Sequence, residues 1–107
     1  MQEKAIKNDG NWHEKPRMDL IPALAIMETA KVFGYGAKKY SDHNWKNGLR
    51  IGRLLAAGLR HIFKHLAGQD NDEETGLSHL AHASCCILMA LDTYIANPDM
   101  DDRFKNS

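Results

Sequence analysis

Residues 58–91 read GLRHIFKHLAG, then QDNDEETGLS, then HLAHASCCILMAL, and the architecture depends on this stretch more than on any other. Two apolar patterns with helical spacing flank a short acidic turn. Positions three or four apart share one face of a helix. His61 and His65 should therefore project together on the first helix. His79 and His82 should do the same on the second, so histidines gather where the two helices meet.

The helical spacing extends over most of the chain. It predicts helices over residues 21–33, 49–67 and 77–96. Pro22 suits the opening turn of the first helix, and Gly34 and Gly36 are expected to interrupt or end it. A glycine-flanked polar and aromatic connection follows, long enough to be functional. The pattern predicts no strand, and the expected class is all-α.

The third predicted helix is apolar almost all round. Its expected core face carries Leu77, Leu80, Ala81, Ser84, Leu88, Leu91 and Ile95, and the other side carries His79, His82, Cys86, Met89 and Thr93. A helix of this kind is normally buried, but in a chain of 107 residues the two other helices are too few to cover it on all sides. We therefore expect a small bundle of three main helices, with an ordered arm and connecting loop, completed by homo-oligomerisation.

Composition limits the partners and the compartment. Fourteen basic and fourteen acidic residues balance, so no global field draws in nucleic acid or an anionic membrane. The longest uncharged apolar run, residues 81–91, is far shorter than the roughly 20 residues of a membrane span. The polar start MQEKAIKNDG resembles no leader. We expect no direct nucleic-acid or membrane binding and a cytoplasmic location, in the host cytoplasm if the chain is phage-encoded.

The chain divides into three parts on the same grounds. Residues 1–14 lack an apolar period and read as an arm, in which Trp12 should pack on the body, a ligand or another subunit. Residues 15–98 form the helical domain, and residues 99–107 form a charged tail. The adjacent Cys85 and Cys86 should be small buried residues, because a disulfide between helical neighbours would strain the backbone.

The histidines and the acidic turn suggest a ligand site. Asp70, Asp72, Glu73 and Glu74 lie between the histidine pairs, with Arg60 and Lys64 nearby. Imidazoles and carboxylates beside cations suit a divalent metal that holds a phosphate-bearing ligand. Any single histidine is more often a helix cap or a core residue, and acids in a turn are usually just solvated. Two helically spaced pairs across one acidic turn favour a site.

Other motifs are excluded or weaker. The turn is no calcium loop, because its glycine is the seventh residue from Asp70 and Ala81 stands where the closing glutamate belongs. HLAH lacks the glutamate of HExxH. The basic side of the second helix, together with Lys15 and Arg17, suits a polyphosphate clamp or merely a solvated face. Four residues of the connection suit a nucleobase or a protein interface: Tyr35, Tyr40, Asn44 and Trp45.

Three blocks carry a family resemblance: KPRMDLIP at 15–22, GAKKYSDHNW at 36–45 and LRHIFKHLAGQDNDEETGLSHLAHA at 59–83. In this order they resemble the phage and prophage dATP/dGTP diphosphohydrolase amino-terminal-domain family. The resemblance implies an all-α enzyme that hydrolyses a purine deoxynucleoside triphosphate to the monophosphate and pyrophosphate. It also suggests a distant likeness to MazG-type pyrophosphohydrolases, in which an ExxD metal motif stands where this chain has HLAH.

The resemblance also implies site residues. As catalytic and metal-holding residues it suggests His61, Asp72, Glu74, His79 and His82. For substrate binding it suggests Lys15, Arg17, Lys39, Tyr40, Asn44, Trp45 and Arg60, while Gly36, Gly68 and Gly76 match as backbone positions. The expected cofactor is Mg²⁺ or Mn²⁺, although imidazoles in place of carboxylates suit a softer metal.

Three functions remain open on the sequence. The first is hydrolysis of purine (deoxy)nucleoside triphosphates to the monophosphate and pyrophosphate by a metal-dependent homo-oligomer. The second is sequestration of a signalling nucleotide without cleavage, as in a phage-type binding protein. The third is a helical interaction module with structural histidines.

Overall fold

The computed structural model describes residues 14–105 and consists of helices. The three long ones are α1 (Ala23–Lys39), α2 (Ile51–Leu66) and α3 (His79–Ala96), and single 3-10 turns cover Met18–Leu20, Asn44–Asn47 and Pro98–Met100. No strand occurs within residues 14–105, where Asn71 and Ser78 form an isolated antiparallel bridge. The predicted all-α class is confirmed. Trp12 and most of the predicted arm lie outside the described residues.

The first helix is longer than the sequence predicts. α1 continues through Gly34 and Gly36 and ends at Lys39, where the Tyr40 N–H donates to the Gly36 carbonyl at 2.9 Å. The prediction that the glycines interrupt or end the helix is wrong, because a glycine costs a helix interior only about 1 kcal/mol relative to alanine and need not break it. The extension carries Lys39 to the acidic turn.

α2 and α3 pack closely through small residues. A Cβ added to Gly58 would lie 3.3 Å from the Cys86 Cβ, tighter than ordinary van der Waals contact. Nearer the other end of the pair, Ile51 and Leu54 enclose Ala90 in a buried cluster. Most contacts of α3 are with α2, and fewer are with α1. The absence of a side chain at Gly58 therefore sets how closely the two helices approach.

The buried face of α3 differs from the predicted one. Of the residues assigned to the core, Ala81 is buried as predicted, but Leu80, Leu88, Leu91 and Ile95 are exposed. The other buried positions of α3 are His79, Ala83, Cys85, Cys86, Ala90 and Thr93. The prediction followed side-chain size, but small side chains allow the closest helix contacts and therefore face the neighbouring helices. The leucines of α3 remain uncovered within residues 14–105.

α1 packs on α3 through a second small cluster. Val32, Ala81 and Cys85 are buried together, and the Thr29 hydroxyl, which donates to the Ala25 carbonyl at 2.8 Å, lies 3.0 Å from the Ser84 hydroxyl. Both cysteines are buried and free, as predicted. Burial raises the pKa of the Cys85 thiol to about 12, so this thiol stays protonated and is a poor nucleophile.

The starts of α2 and α3 are capped differently. Ser78 is the N-cap of α3, and its hydroxyl accepts hydrogen bonds from the Leu80 and Ala81 N–H groups at 3.1 and 3.4 Å. The N-cap residue of α2 is Arg50, and its side chain makes no capping hydrogen bond. Instead Asp102, on the predicted tail, accepts a 2.8 Å hydrogen bond from the Gly52 N–H. The tail thus satisfies a backbone donor at the start of α2.

We expect Asp102→Ala to lower the free energy of unfolding by about 1 kcal/mol, as for the loss of a side-chain cap. Asp99→Ala serves as the control, because Asp99 is an exposed acid on the same tail. Urea denaturation followed by circular dichroism measures both variants. Equal stabilities for the two would contradict the capping role.

Candidate functional site

The acidic turn between α2 and α3 has a defined backbone. The Asp72 N–H donates to the Leu77 carbonyl at 2.8 Å, and the His79 N–H donates to the Asp70 carbonyl at 2.9 Å. Gly68 and Gly76 adopt φ angles of +99° and +72°, which side-chain-bearing residues rarely adopt. These two glycines therefore fix the path of the turn, and Gly36, the third matched glycine, lies within α1.

Asp72 is held as an ionised carboxylate. Its Oδ2 accepts hydrogen bonds from the Glu74 and Thr75 N–H groups at 3.1 and 3.0 Å, and it lies 4.0 Å from the His82 Nε2. Partial burial opposes ionisation, but the Thr75 hydrogen bonds and the nearby His82 outweigh it and lower the pKa of Asp72. The turn therefore presents a fixed negative charge to the histidines.

Three of the four histidines in this stretch come together. The His61 and His79 Nδ1 atoms lie 2.8 Å apart, and the His61 and His82 rings stack with centroids 4.5 Å apart at 11°. The His82 Nε2 is 2.7 Å from the Thr75 hydroxyl oxygen. His79 has no exposed surface. His61 therefore contacts two other imidazoles.

The hydrogen-bond network assigns the protons on two of these rings. The Gln69 amide nitrogen donates to Glu73 at 3.3 Å, so the Gln69 amide oxygen faces the His79 Nε2 at 3.1 Å. That contact requires a proton on the His79 Nε2, and in a neutral ring the Nδ1 is then an acceptor. The His61 Nδ1 must therefore carry the proton that it shares with His79. This tautomer leaves the lone pair of His61 on Nε2.

Burial also favours neutral rings. It lowers the pKa of His61, and the neighbouring His82 lowers it further. Burial likewise lowers the pKa of His82, against the opposing effect of Asp72. Both imidazoles are therefore uncharged at neutral pH, the form in which histidine accepts a proton or binds a metal.

His65 is separated from this cluster. Its Nδ1 lies 3.9 Å from the Asp70 Oδ1, beyond hydrogen-bond distance. Among the described residues no hydrogen-bond partner reaches this nitrogen. The predicted pairing of His61 with His65 thus brings only His61 into the lining of the cleft described below.

A cleft of about 780 Å³ opens beside the cluster. One part of its lining is polar and belongs to α2, the turn and α3: His61, Asp72, Glu74, Thr75 and His82. Another is aromatic and belongs to α1 and the connection: Phe33, Tyr35, Tyr40 and Trp45. Trp45 is braced by Phe33, with ring centroids 6.4 Å apart. One side of the cleft therefore carries imidazoles and carboxylates that can accept protons, and another carries aromatic rings on which a planar ligand could stack.

An ion pair joins α1 to the turn at this cleft. The Lys39 Nζ donates to the Glu74 Oε1 at 2.7 Å, and both side chains are about half exposed. The hydrogen bond to Glu74 raises the pKa of Lys39. Glu74, implied as a metal ligand by the resemblance, is thus engaged by a lysine here.

The structure divides the residues implied by the family resemblance into two groups. Those that line the cleft are Lys39, Tyr40, Asn44, Trp45, His61, Asp72, Glu74 and His82. Lys15, Arg17, Arg60 and His79 are not part of its lining. Arg17 donates two hydrogen bonds of 2.8 Å to the Asp19 carboxylate. The buried His79 contacts His61 through the two Nδ1 atoms and does not itself reach the cleft.

Sequence reasoning missed several cleft residues: His43, Lys46, Thr75 and Asp92. His43 adopts a φ of +57°, unusual for a residue with a side chain. Asp92 follows His82 by ten residues on α3, and Cys85 and Met89 occupy the intervening positions of the same stripe. The helical spacing of these residues could have identified Asp92 as a cleft residue, since it is the one charged residue of α3.

A subset of the cluster has the spacing of a metal site. Ligand atoms of His61, Asp72 and His79 all lie within 4.8 Å of one another. Two imidazoles and a carboxylate fit a divalent cation, and they favour a borderline metal such as Zn²⁺ over Mg²⁺. Both nitrogens of His79 are engaged in hydrogen bonds. Ligation through His79 would therefore replace one of them, whereas His61 and Asp72 already line the cleft.

Fold and site together define an all-α protein with an imidazole and carboxylate cluster in an aromatic-lined cleft. The chain belongs to the family described as dATP/dGTP diphosphohydrolase, N-terminal, which matches residues 5–103. It is 38% identical over 89 residues to a protein of Salmonella phage PMBT28 named dATP/dGTP diphosphohydrolase. The alignment covers 83% of this chain but only 30% of that relative. No solved structure matches the chain significantly.

Proposed function

We propose that this chain hydrolyses purine (deoxy)nucleoside triphosphates to the monophosphate and pyrophosphate. The observation that carries the proposal is the position of His61 and Asp72 in the cleft that also contains Tyr40 and Trp45. Membership of the family and the name of the phage relative support the same substrate class.

The cleft suits a nucleotide in size and chemistry. Its volume of about 780 Å³ falls in the usual range of small-molecule sites. A purine stacked on Trp45 or Tyr40 would have Asn44 available for hydrogen bonds to the base edge. The triphosphate would then extend towards the turn, where His61 and Asp72 lie.

His61 is the proposed general base. Its Nε2 carries the lone pair, because Nδ1 is committed to His79. A water molecule that attacks the anhydride between the α and β phosphates gives up its proton to this nitrogen, and pyrophosphate leaves. Asp72 stabilises the resulting imidazolium by its negative charge. His79 and Gln69 hold the tautomer in place.

A divalent metal is the second way in which the cluster would activate water, with His61, Asp72 and His79 as its candidate ligands. A metal bound to His61 would occupy the lone pair that otherwise accepts the proton, so the two roles of His61 are alternatives. Such a metal would neutralise phosphate charge and help to ionise the attacking water. The resemblance adds Glu74 and His82 to this set. Mg²⁺ or Mn²⁺ is expected from the family, and the two imidazoles also suit a softer metal such as Zn²⁺.

Lys39 is the proposed phosphate contact in the cleft, since its ammonium lies beside the turn. Phosphate oxygens would replace the Glu74 carboxylate as its partner. Lys15, Arg17 and Arg60, which the resemblance also implies, would have to approach the triphosphate from outside the described lining.

The test is incubation of the purified chain with dATP or dGTP and either Mg²⁺ or Mn²⁺. We expect equal amounts of pyrophosphate and nucleoside monophosphate, measured by an enzymatic pyrophosphate assay and by ion-exchange chromatography. Absence of turnover with every common nucleotide and metal would refute hydrolysis by this chain.

The same experiment distinguishes the alternative function. The imidazoles that stand in place of a carboxylate metal set favour nucleotide sequestration as the second candidate. It predicts metal-independent binding by calorimetry and recovery of the intact nucleotide after denaturation. Conversion of the ligand would exclude it.

A further inference from the structure

Asp92 is a cleft residue to which the proposed hydrolysis gives no role. It is the one charged residue of α3, and it is exposed to the cleft. Within residues 14–105 its carboxylate makes no hydrogen bond and no ion pair. By contrast, Asp72 accepts backbone hydrogen bonds and Glu74 is paired with Lys39. The Asp92 oxygens are therefore available to accept hydrogen bonds from a ligand.

Asp92 lies on the same side of α3 as His82. Cys85 and Met89 occupy the positions between them at helical spacing, and all four residues line the cleft. Ten residues of α-helix separate the Cα atoms of His82 and Asp92 by about 15 Å. An extended nucleoside triphosphate is about this long from its phosphates to the far edge of its base. A nucleotide whose phosphates lie at the acidic turn can therefore bring its base to Asp92.

The aromatic side of the cleft runs beside this part of α3. Phe33, whose ring contacts that of Trp45, packs against the cluster that contains Cys85. Leu49, four residues after Trp45, packs against the cluster that contains Ala90. The segment that carries Trp45 therefore lies between the acidic turn and the free carboxylate. A purine stacked on Trp45 can turn one edge towards that carboxylate.

The two purines offer different groups to a carboxylate at this edge. Guanine has two adjacent donors, the N1–H and the 2-amino group, and the two oxygens of one carboxylate can accept from both. Adenine has a lone pair on N1 and no 2-amino group. A carboxylate has no proton to donate to that lone pair, so the two acceptors repel each other. An aspartate beside the base therefore favours guanine.

We propose that Asp92 selects guanine nucleotides by accepting hydrogen bonds from the N1–H and the 2-amino group of the base. The inference rests on the proposed hydrolysis, which places the phosphates at the turn. Asp42 is the other cleft acid that makes no hydrogen bond or ion pair within residues 14–105. It lies on the connection after α1, whereas Asp92 lies on a helix, where side chains are positioned more precisely.

The test is the comparison of kcat/KM for dGTP, dITP and dATP. We expect the wild type to prefer dGTP over dATP about tenfold or more, with dITP, which lacks the 2-amino group, between them. Asp92→Asn should lower the ratio of dGTP to dATP by about tenfold, because the amide loses the negative charge and can donate to the adenine N1. Equal values for dGTP and dATP in the wild type, or an unchanged ratio in the variant, would overturn the proposal.

Asp42→Asn is the matched control, because it makes the same change at another exposed acid of the cleft. Its ratio of dGTP to dATP should stay within about twofold of the wild-type ratio, since a substitution away from the base affects both nucleotides alike. A lower ratio in Asp42→Asn but not in Asp92→Asn would show that the wrong acid was assigned. Circular dichroism checks that both variants keep their helices.

Calorimetric titration with dGTP and dATP separates this proposal from the proposed hydrolysis. If neither nucleotide is cleaved, a preference for binding dGTP that is lost in Asp92→Asn would still support the selection of guanine. Cleavage with the same ratio of dGTP to dATP in wild type and variant would overturn the role of Asp92 alone. Absence of both binding and cleavage would overturn both proposals.

Discussion

His61→Asn is expected to lower kcat for the proposed nucleoside triphosphate hydrolysis at least a hundredfold while the protein stays folded. The asparagine amide nitrogen lies near the position of the imidazole Nδ1 and can still donate to the His79 Nδ1, which is 2.8 Å from the His61 Nδ1. The Nε2 lone pair disappears. General-base catalysis contributes about 10² to 10⁴ in rate, and the loss should therefore appear in kcat.

His65→Asn is the control for this prediction. It makes the same chemical change one turn farther along α2, at a ring outside the cleft. We expect its kcat to stay within a factor of about two of the wild type, since the His65 ring takes no part in the proposed general-base step. Steady-state kinetics with a pyrophosphate assay gives kcat and KM for both variants. A wild-type kcat for His61→Asn would show that another group takes the proton.

Gly58→Leu is expected to lower the free energy of unfolding by about 3 kcal/mol, the upper end for an overpacked core. A single Cβ at this position already comes within 3.3 Å of the Cys86 Cβ, and the Ile87 Cδ1 is 3.8 Å away. A leucine would force α2 and α3 apart and open the cluster of Ile51, Leu54 and Ala90. Urea denaturation measures the loss.

Gly34→Leu is the control for this substitution. Gly34 also lies inside a helix, but an added Cβ there meets nothing within 4 Å. Leucine forms helices better than glycine, so this variant should gain about 0.5–1 kcal/mol. Similar stabilities for Gly58→Leu and Gly34→Leu would mean that the α2–α3 contact tolerates a larger separation.

The sequence predicted the helices well and the contacts between them less well. Periodicity located α2 and α3 to within two residues at each end, because apolar spacing and the Gly68 and Asn97 stops are local signals. It assigned the leucines of α3 to the core because it weighs side chains by size. Gly58 and Cys86 show why this failed: the closest helix contact depends on a residue with no side chain, which a hydrophobic pattern does not register.

The candidate site was predictable where its parts are close in sequence. His61, Asp72 and His82 span 22 residues across one turn, so helix spacing alone brings them together. The contact of Lys39 with Glu74 joins residues 35 apart and depends on α1 passing Gly34 and Gly36. The spacing of His61 and His65 predicted that both side chains contribute to one site. Only His61 lines the cleft, because the packing of α3 against α2 decides which side chains reach it, and the spacing of residues along one helix carries no information about that packing.

In the ion pair between Lys39 and Glu74, the Glu74 carboxylate occupies the ammonium group that an anionic ligand of the cleft would also bind. A half-exposed pair of this kind is weak because solvent screens it, so a ligand needs only a modest electrostatic advantage over one carboxylate to displace Glu74. A triphosphate, with several negative oxygens, has that advantage, whereas a monophosphate carries much less charge. Under the proposed hydrolysis, Glu74 would thus favour binding of a triphosphate over binding of a nucleoside monophosphate.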